Sequence, residues 1–348
     1  MNYIAPPRSE GTIQHTRKKQ PWPKDRLFRI LSIDGGGIRG VFPAAYLAEI
    51  EKRFLGGGSI AHHFDMIAGT STGGIIALGL ASGMTAAQVL QIYSERGEII
   101  FPSPRGLGRV RQLIRFLFRP KHDQSVLKAE LLRIFGDKVI NEASTRLVVP
   151  SFEGAHGEPF IYKTPHHPDY KKDRHKTLTH VGLHTSAAPA YYPAVEADGL
   201  IMIDGGVWAN NPIMNALVDV LACYDIPREN IRILSIGTGE EALKLKDKQL
   251  NGGVNGWGIS LGVSPLFKIA AKAQSKNALG QAYLLVGKNN VIRVDVPEHD
   301  QLIALDDFRR SLIDLPRAAR AQADASGHYI ESVFLADKVD PFTPCPIT

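Results

Sequence analysis

A serine framed by glycines is the first chemical signal in this sequence. Gly69-Thr70-Ser71-Thr72-Gly73 matches the pattern G-x-S-x-G, in which a serine stands on a strained turn between a strand and a helix. Glycines are needed on both sides because larger residues there would collide with neighbouring backbone. An apolar run, Phe64 to Ala68, precedes the motif, and a helical pattern, Ile75 to Ser82, follows it. We therefore predict that Ser71 is a nucleophile.

An aspartate after another apolar run offers the base that such a serine needs. Asp204-Gly205-Gly206 directly follows Leu200 to Ile203. Open α/β sheets place their sites at the carboxyl ends of strands, so Asp204 and Ser71 are expected to face one crevice. An ordinary aspartate, with a pKa of about 3.9, accepts a hydroxyl proton poorly, but burial would raise that pKa. We predict that Asp204 is the base; an aspartate that only shapes the turn before Gly205 and Gly206 is the alternative.

A third glycine-rich stretch could stabilise negative charge. Gly35-Gly36-Gly37-Ile38-Arg39-Gly40 lies between an apolar run and a helical pattern, so the N–H groups of Gly35, Gly36 and Gly37 are candidates for an oxyanion hole. The stretch also spells G-x-G-x-x-G, a dinucleotide-binding pattern that requires an acid about 20 positions later, at the end of the next strand. Glu49 and Glu51 fall within the helix instead, and Asp65 starts the next strand. The nucleotide-binding alternative is therefore weaker.

Apolar runs and helical patterns alternate along most of the chain, which predicts an α/β fold with a mainly parallel sheet covered by helices on both faces. No repeat or linker divides the chain. We therefore expect one domain over residues 26–348, with a motif-bearing core at about 28–239 and a C-terminal helical part at about 240–348. Residues 1–25 contain four prolines and no clear periodicity, which favours an extended or partly disordered arm. The predicted strands are Phe28 to Ile33, Phe64 to Ala68, Leu200 to Ile203 and Ile231 to Ile236.

Composition narrows the classes of protein. With 348 residues and 44% hydrophobic side chains, the chain can bury a large core. Its net charge of +6 suits an anionic surface or substrate and does not require DNA or RNA. Two cysteines are too few for a disulfide framework, and the first twenty residues lack an apolar signal block, so a cytoplasmic location is expected. The uncharged stretch between Asp65 and Glu95 is too polar and glycine-rich at its start to span a membrane.

Basic residues concentrate in two places. Residues 101–125 contain six basic residues and one acid, and Arg111, Arg115 and Arg119 share one face of a helical pattern. That face could contact anionic lipid or an acidic effector, or could simply be a solvated helix surface. The second cluster, residues 163–176, includes His166 and His167 and is expected to be an exposed loop. We find no set of metal-binding residues around these histidines.

The order of these motifs resembles the patatin-like phospholipase family. The glycine stretch, the serine motif, Ser186 to Pro193, the aspartate turn and Asn210-Asn211-Pro212 span about 60% of the chain in the family's order. The resemblance implies hydrolysis of lipid acyl esters by a Ser-Asp dyad without histidine, cofactor or metal. Ser71 would be the nucleophile, Asp204 the base and Gly35, Gly36 and Gly37 the oxyanion hole. Arg39 would hold that loop or meet a lipid phosphate.

The resemblance also implies partners. Membrane phospholipid is the expected substrate, with the enzyme at the membrane periphery when active, and no DNA or RNA polymer is expected. Compact bacterial members of this family include effectors of anti-phage defence that cyclic dinucleotides activate. A separate nucleotide-binding domain is not recognisable in the sequence, so such an activator would bind the catalytic domain or an interface in a homo-oligomer.

Two other functions remain open at this point. One is an esterase with a Ser-His-Asp triad acting on soluble esters, for which His299 and His328 follow Asp204 in the required order. The other is a nucleotide-binding module without catalysis, based on the glycine stretch.

Overall fold

The computed structural model describes residues 17–100, 120–239, 265–297, 303 and 307–346. The basic residues Arg111, Arg115 and Arg119 lie outside the described residues, as do His299 and residues 1–16 of the N-terminal arm. The described strands are β1 (Gln20–Pro21), β2 (Phe28–Ile33), β3 (Met66–Gly69), β4 (Arg146–Glu153), β5 (Glu158–Lys163), β6 (Val195–Ala197), β7 (Leu200–Asp204), β8 (Tyr224–Asp225), β9 (Ile231–Ile236) and β10 (Val291–Val294).

Helices connect and cover these strands. They are α1 (Val41–Phe54), α2 (Thr72–Ala81), α3 (Ala86–Ile100), α4 (Gln124–Phe135), α5 (Leu178–Thr185), α6 (Gly206–Ala209), α7 (Ile213–Cys223), α8 (Pro265–Val286) and α9 (Phe308–Ile330). A short 3₁₀ turn, Gly37–Gly40, leads into α1. In the described part of the chain, no helix has both the length and the apolar character needed to cross a bilayer.

The main sheet combines a parallel block with an antiparallel extension. The strands β10, β9, β2, β3 and β4 lie side by side and run parallel. The strands β5 and β7 pair antiparallel with β4, and β6 pairs antiparallel with β7. The predicted α/β class is confirmed, and the sheet is mixed. The short strand β7 is antiparallel to β4 because β6 and β7 form a hairpin, which reverses the direction of the chain before β7 pairs with β4.

The registers place β3 and β7 on the same edge of β4. Val148 pairs with Ala68 of β3 and with a residue of β5, so β3 and β5 lie on opposite edges. Ser151 pairs with Asp204 of β7 and with another residue of β5, so β7 is also opposite β5. Because β3 runs parallel to β4 and β7 runs antiparallel, their carboxyl ends meet head to head near Pro150.

Each face of the sheet has its own hydrophobic core, because alternate side chains of a strand point to opposite faces. Leu31 and Ile33 pack among α1, α2, α3, α4, α5 and α9. Phe28 and Ile30 pack on the other face among α7 and α8. The predicted covering of both faces of the sheet by helices is therefore present.

The described end of the N-terminal arm is extended and packs on the domain. Gln20 and Pro21 form a parallel pair with Tyr224 and Asp225. Trp22 is buried, and its ring centroid lies 4.6 Å from that of Phe28. Residues 17–25 are therefore part of the folded structure, on the same face as α7.

The prediction of an exposed loop at residues 163–176 was wrong for both histidines. His166 and His167 are 1% and 2% exposed. The Nε2 atom of His166 lies 2.5 Å from Asp219 Oδ2 on α7, and the Nε2 atom of His167 hydrogen-bonds the carbonyl of Lys18 at 3.0 Å. These long-range partners draw a polar stretch into the interior, which the local sequence pattern does not reveal.

Candidate active site

The serine motif forms a sharp turn between β3 and α2. Ser71 has a φ of +55°, a conformation that costs energy for a residue with a side chain. A Cβ atom at Gly69 would lie 2.1 Å from the carbonyl oxygen of Gly73, and one at Gly73 would lie 2.3 Å from that of Ile33. Both glycines are therefore required by close backbone contact. Ser71 is left half-buried at the N-terminus of α2, where the helix dipole favours negative charge.

The structure brings Asp204 to this serine. The side chain of Asp204 lies close enough to that of Ser71 for the hydroxyl to lower the pKa of the carboxyl, and it accepts the N–H of Gly206 at 2.6 Å. Asp204 is only 4% exposed. Burial raises its pKa to about 6, although the nearby Ser71 hydroxyl and the N–H of Gly206 partly offset that rise. A carboxylate of this basicity can accept a proton near neutral pH.

The glycine loop lies at the ends of β2 and β9, but one of its expected donors is occupied. The N–H of Gly35 donates to the carbonyl of Asn210 at 3.0 Å. The prediction that the N–H of Gly35 is free to bind an oxyanion is therefore wrong. No hydrogen bond among the described residues uses the N–H of Gly36 or Gly37. Gly37 has a φ of +57°, and a Cβ at Gly36 would lie 2.3 Å from Thr238 Oγ1, so the loop requires glycine at both positions.

Arg39 braces this loop. Its Nε atom donates to the carbonyl of Gly36 at 3.3 Å, and a terminal nitrogen donates to the carbonyl of Gly239 at 2.9 Å. Of the two roles expected for Arg39, these contacts favour holding the loop.

The aspartate turn depends on close packing as well. A Cβ at Gly205 would lie 2.4 Å from the carbonyl oxygen of Pro150, and one at Gly206 would lie 3.1 Å from Asp204 Oδ1. The two glycines let the chain turn tightly beneath the carboxylate, as their positions in the sequence suggested.

Thr185, at the end of α5, is a site residue that sequence reasoning missed. Its hydroxyl accepts the N–H of Ser71 at 3.0 Å and donates to the carbonyl of Pro150 at 2.6 Å. Its own carbonyl accepts the N–H of Gly205 at 3.3 Å. One fully buried residue thus holds both the serine turn and the aspartate turn. Its place directly before the stretch Ser186 to Pro193 was the only sequence signal for this role.

The histidine required by a triad does not meet Asp204 in the described residues. The side chain of His328 is 90% exposed and lies 3.3 Å from a carboxylate oxygen of Glu331. No histidine among the described residues is hydrogen-bonded to Asp204.

A buried group with metal-binding side chains is explained by other contacts. His166, Asp219 and Cys223 have ligand atoms within 4.8 Å of one another, a grouping of distant residues that the local sequence around the histidines does not indicate. However, Lys163 forms an ion pair with Asp219, and the hydroxyl of Tyr170 donates to the same carboxylate at 2.6 Å. The charge of Asp219 is therefore balanced within the protein, and the group fits a structural network better than a metal centre.

Comparison with known proteins identifies the family. The model of the patatin-like phospholipase family matches residues 31–217, which is more than half of the chain and includes the glycine loop, Ser71 and Asp204. The chain belongs to the patatin-like phospholipase family.

Individual relatives come from bacteria and plants. The chain is 37% identical over 213 residues to a cGAMP-activated phospholipase of Pseudomonas aeruginosa, covering 61% of this chain and 62% of that protein. It is 35% identical over 241 residues to a cGAMP-activated phospholipase of Vibrio cholerae, covering 64% and 68%. It is 35% identical over 275 residues to patatin-like protein 2 of Arabidopsis thaliana, covering 69% and 66%. The chain thus spans a little under two thirds of the first and third of these relatives.

The position of Thr185 predicts a measurable stability effect. Thr185→Val keeps the shape of the side chain but leaves the N–H of Ser71 and the carbonyl of Pro150 unpaired in a buried place. We expect the free energy of unfolding to fall by about 1–3 kcal/mol, measured by urea denaturation. Thr185→Ser, which keeps the hydroxyl, is the control. A valine variant as stable as the serine variant would show that these hydrogen bonds contribute nothing.

Proposed function

We propose that this protein hydrolyses fatty-acyl esters of membrane phospholipids through a Ser71-Asp204 dyad. The observation that carries the proposal is the meeting of the Ser71 and Asp204 turns where β3 and β7 end. Thr185 holds both turns, and the Ser71 hydroxyl lies close enough to lower the pKa of the Asp204 carboxyl. Membership of the patatin-like phospholipase family supports the same class of reaction.

The first half of the reaction forms an acyl-enzyme. The hydroxyl oxygen of Ser71 attacks the ester carbonyl while Asp204 takes the hydroxyl proton. The carbonyl oxygen becomes an oxyanion, which the N–H groups of Gly36 and Gly37 receive. When the tetrahedral intermediate collapses, the bond to the leaving alcohol breaks and Asp204 returns the proton to that alcohol. The products are a lysophospholipid and an ester of Ser71.

The second half of the reaction repeats these steps with water. Asp204 takes a proton from water, whose oxygen attacks the acyl-enzyme carbonyl. The resulting intermediate collapses, the fatty acid leaves, and the proton on Asp204 returns to Ser71. A single carboxylate can act in both halves because burial places its pKa at about 6, between those of ordinary carboxylic acids and histidine-like bases.

A Ser-His-Asp esterase is the less favoured alternative. It requires a histidine between the serine and the aspartate, whereas the Ser71 hydroxyl lies close enough to Asp204 to lower the pKa of its carboxyl directly. The exposed position of His328 also counts against this alternative.

The dyad predicts the effect of two substitutions on lipid hydrolysis. Ser71→Ala removes the nucleophile, and Asp204→Asn removes the proton acceptor while keeping nearly the same shape. We expect each to lower fatty-acid release from phospholipid vesicles by at least about 100-fold, measured by mass spectrometry of the lipids. His328→Ala is the control and should retain the wild-type rate. Full activity in Asp204→Asn, or loss of activity in His328→Ala, would contradict the dyad.

The raised pKa of Asp204 predicts a pH dependence. Only the ionised carboxylate accepts a proton, so kcat/KM should fall as the pH drops through about 6 and should lose roughly tenfold per pH unit below it. The measurement is a pH profile of the hydrolysis of a short-chain ester, with circular dichroism at each pH to confirm folding. The residual rate of Asp204→Asn should lack this inflection. A wild-type rate that stays constant from pH 7 to pH 4.5 would rule out a base with this pKa.

Regulation by a cyclic dinucleotide is the finer part of the proposal. Two of the relatives described above are named cGAMP-activated phospholipases, and their matches cover 61% and 64% of this chain. We extend that control to this chain, acting on membrane phospholipid at the membrane surface in anti-phage defence. The ligand would bind the catalytic domain or an interface between copies.

A titration tests this regulation. Purified protein is mixed with phospholipid vesicles and a panel of cyclic dinucleotides, and fatty-acid release is followed. We expect one member of the panel to raise the rate at least about tenfold and Ser71→Ala to remain inactive with it. A linear dinucleotide with the same bases is the control. If the protein cleaves vesicles at a rate that none of the ligands changes, the regulatory proposal fails while the dyad stands.

A further inference from the structure

We propose that Arg293, on β10, is a positioning residue that sets the geometry of the oxyanion loop through Asp34. The proposal rests on the function proposed above. It gives a role in the site to the C-terminal part of the chain, where the sequence offers no motif. Arg293 is paired with carboxylates rather than with Ser71, so it would act through the loop.

The contacts of Arg293 form a fork that only arginine can make. One terminal nitrogen donates to Asp34 Oδ1 at 3.1 Å and to the hydroxyl of Ser235 at 2.8 Å. The other donates to Asp34 Oδ2 at 2.7 Å and to Asp295 Oδ2 at 2.6 Å. The side chains of Arg293 and Asp34 are 14% and 4% exposed. A two-pronged contact of this kind fixes direction as well as distance.

Asp34 connects this fork to the start of the loop, because it is the residue directly before the three glycines. The N–H of Asp34 donates to the carbonyl of Ile236 at 2.9 Å. The carbonyl of the following residue, Gly35, accepts a hydrogen bond from the hydroxyl of Thr238 at 2.8 Å. With its carboxylate held by Arg293 and its backbone held by β9, Asp34 has little freedom to rotate. The directions of the N–H groups of Gly36 and Gly37 follow from this anchor.

A second path connects Arg293 to the end of the loop. Asp295 Oδ2 accepts from Arg293, and Asp295 Oδ1 accepts the N–H of Gly239 at 2.8 Å. The carbonyl of Gly239 in turn accepts from Arg39 at 2.9 Å. The loop is thus held at both ends by one partly buried network, and the register of β10 against β9 places Arg293 opposite Ser235 at its centre.

The substitution Arg293→Lys tests the role in catalysis. Lysine keeps the positive charge but cannot reach both oxygens of Asp34 and also Asp295. We expect kcat per active site to fall roughly 10- to 100-fold with little change in KM, since oxyanion donors act mainly on the transition state. Arg232→Lys is the matched control, because Arg232 lies on the adjacent strand β9 and, among the described residues, its side chain bonds only the carbonyls of Glu229 and Ile231. It should retain the wild-type kcat.

Two inhibitors separate positioning from general damage. A trifluoromethyl ketone analogue of a phospholipid forms a tetrahedral adduct that needs the oxyanion hole, whereas a non-hydrolysable ether phospholipid does not. Arg293→Lys should lower the affinity for the ketone by the same factor by which it lowers kcat/KM. The affinity for the ether phospholipid should not change. An unchanged kcat, or an equal loss of affinity for both inhibitors, would overturn the proposal.

A measurement that needs no catalysis keeps this test separate from the proposed function. Hydrogen exchange of the peptide spanning residues 34–40 reports the protected amides of Asp34, Gly35 and Arg39. Arg293→Lys should speed their exchange roughly tenfold relative to Arg232→Lys, with α1 unchanged. Unchanged exchange would show that Arg293 does not hold the loop. If the wild type hydrolysed no ester, the proposed function would fail, and the exchange result would still decide the role of Arg293 in the loop.

Discussion

The site depends on the head-to-head meeting of β3 and β7 along one edge of β4. Where the two strands end, the carbonyl of Pro150 has no strand partner on that edge and accepts the hydroxyl of Thr185 instead. Proline suits this position because it has no N–H that would need a partner in the gap. The two chain ends must turn away there. The tight turns that result carry Ser71 on one side and Asp204 on the other.

The pKa of Asp204 is raised by burial with no basic side chain of the described residues beside it, and a second buried aspartate shows how much such a side chain matters. Burial raises the pKa of both Asp204 and Asp219. At Asp219 the charges of Lys163 and His166 more than offset that rise, and the pKa falls below its ordinary range. Asp204 has a hydroxyl and an N–H as partners and no basic group among the described residues. The first arrangement supports a structural ion pair, and the second supports a proton acceptor.

Local pattern predicted the parts of the site that depend on local geometry. A few adjacent residues were enough to recognise the apolar runs before Ser71 and Asp204. The same holds for the glycines that allow close backbone contact in the turns. What local pattern could not predict is contact between distant segments. The carbonyl of Asn210 removes Gly35 from the oxyanion hole, and Thr185 joins the two turns. The pairing of Arg293 with Asp34, 259 positions away, and the burial of His166 depend on tertiary packing in the same way.

The most direct test of the central claim is the rate at which a fluorophosphonate modifies Ser71, with the modified residue located by mass spectrometry of peptides. This reaction needs only the nucleophile, its base and the oxyanion donors, and it does not depend on a membrane. We expect the wild type to be modified at Ser71 and Asp204→Asn to react at least about 100-fold more slowly. Modification at another serine, or equal rates for the two proteins, would contradict the account of Ser71 and Asp204 as one catalytic unit.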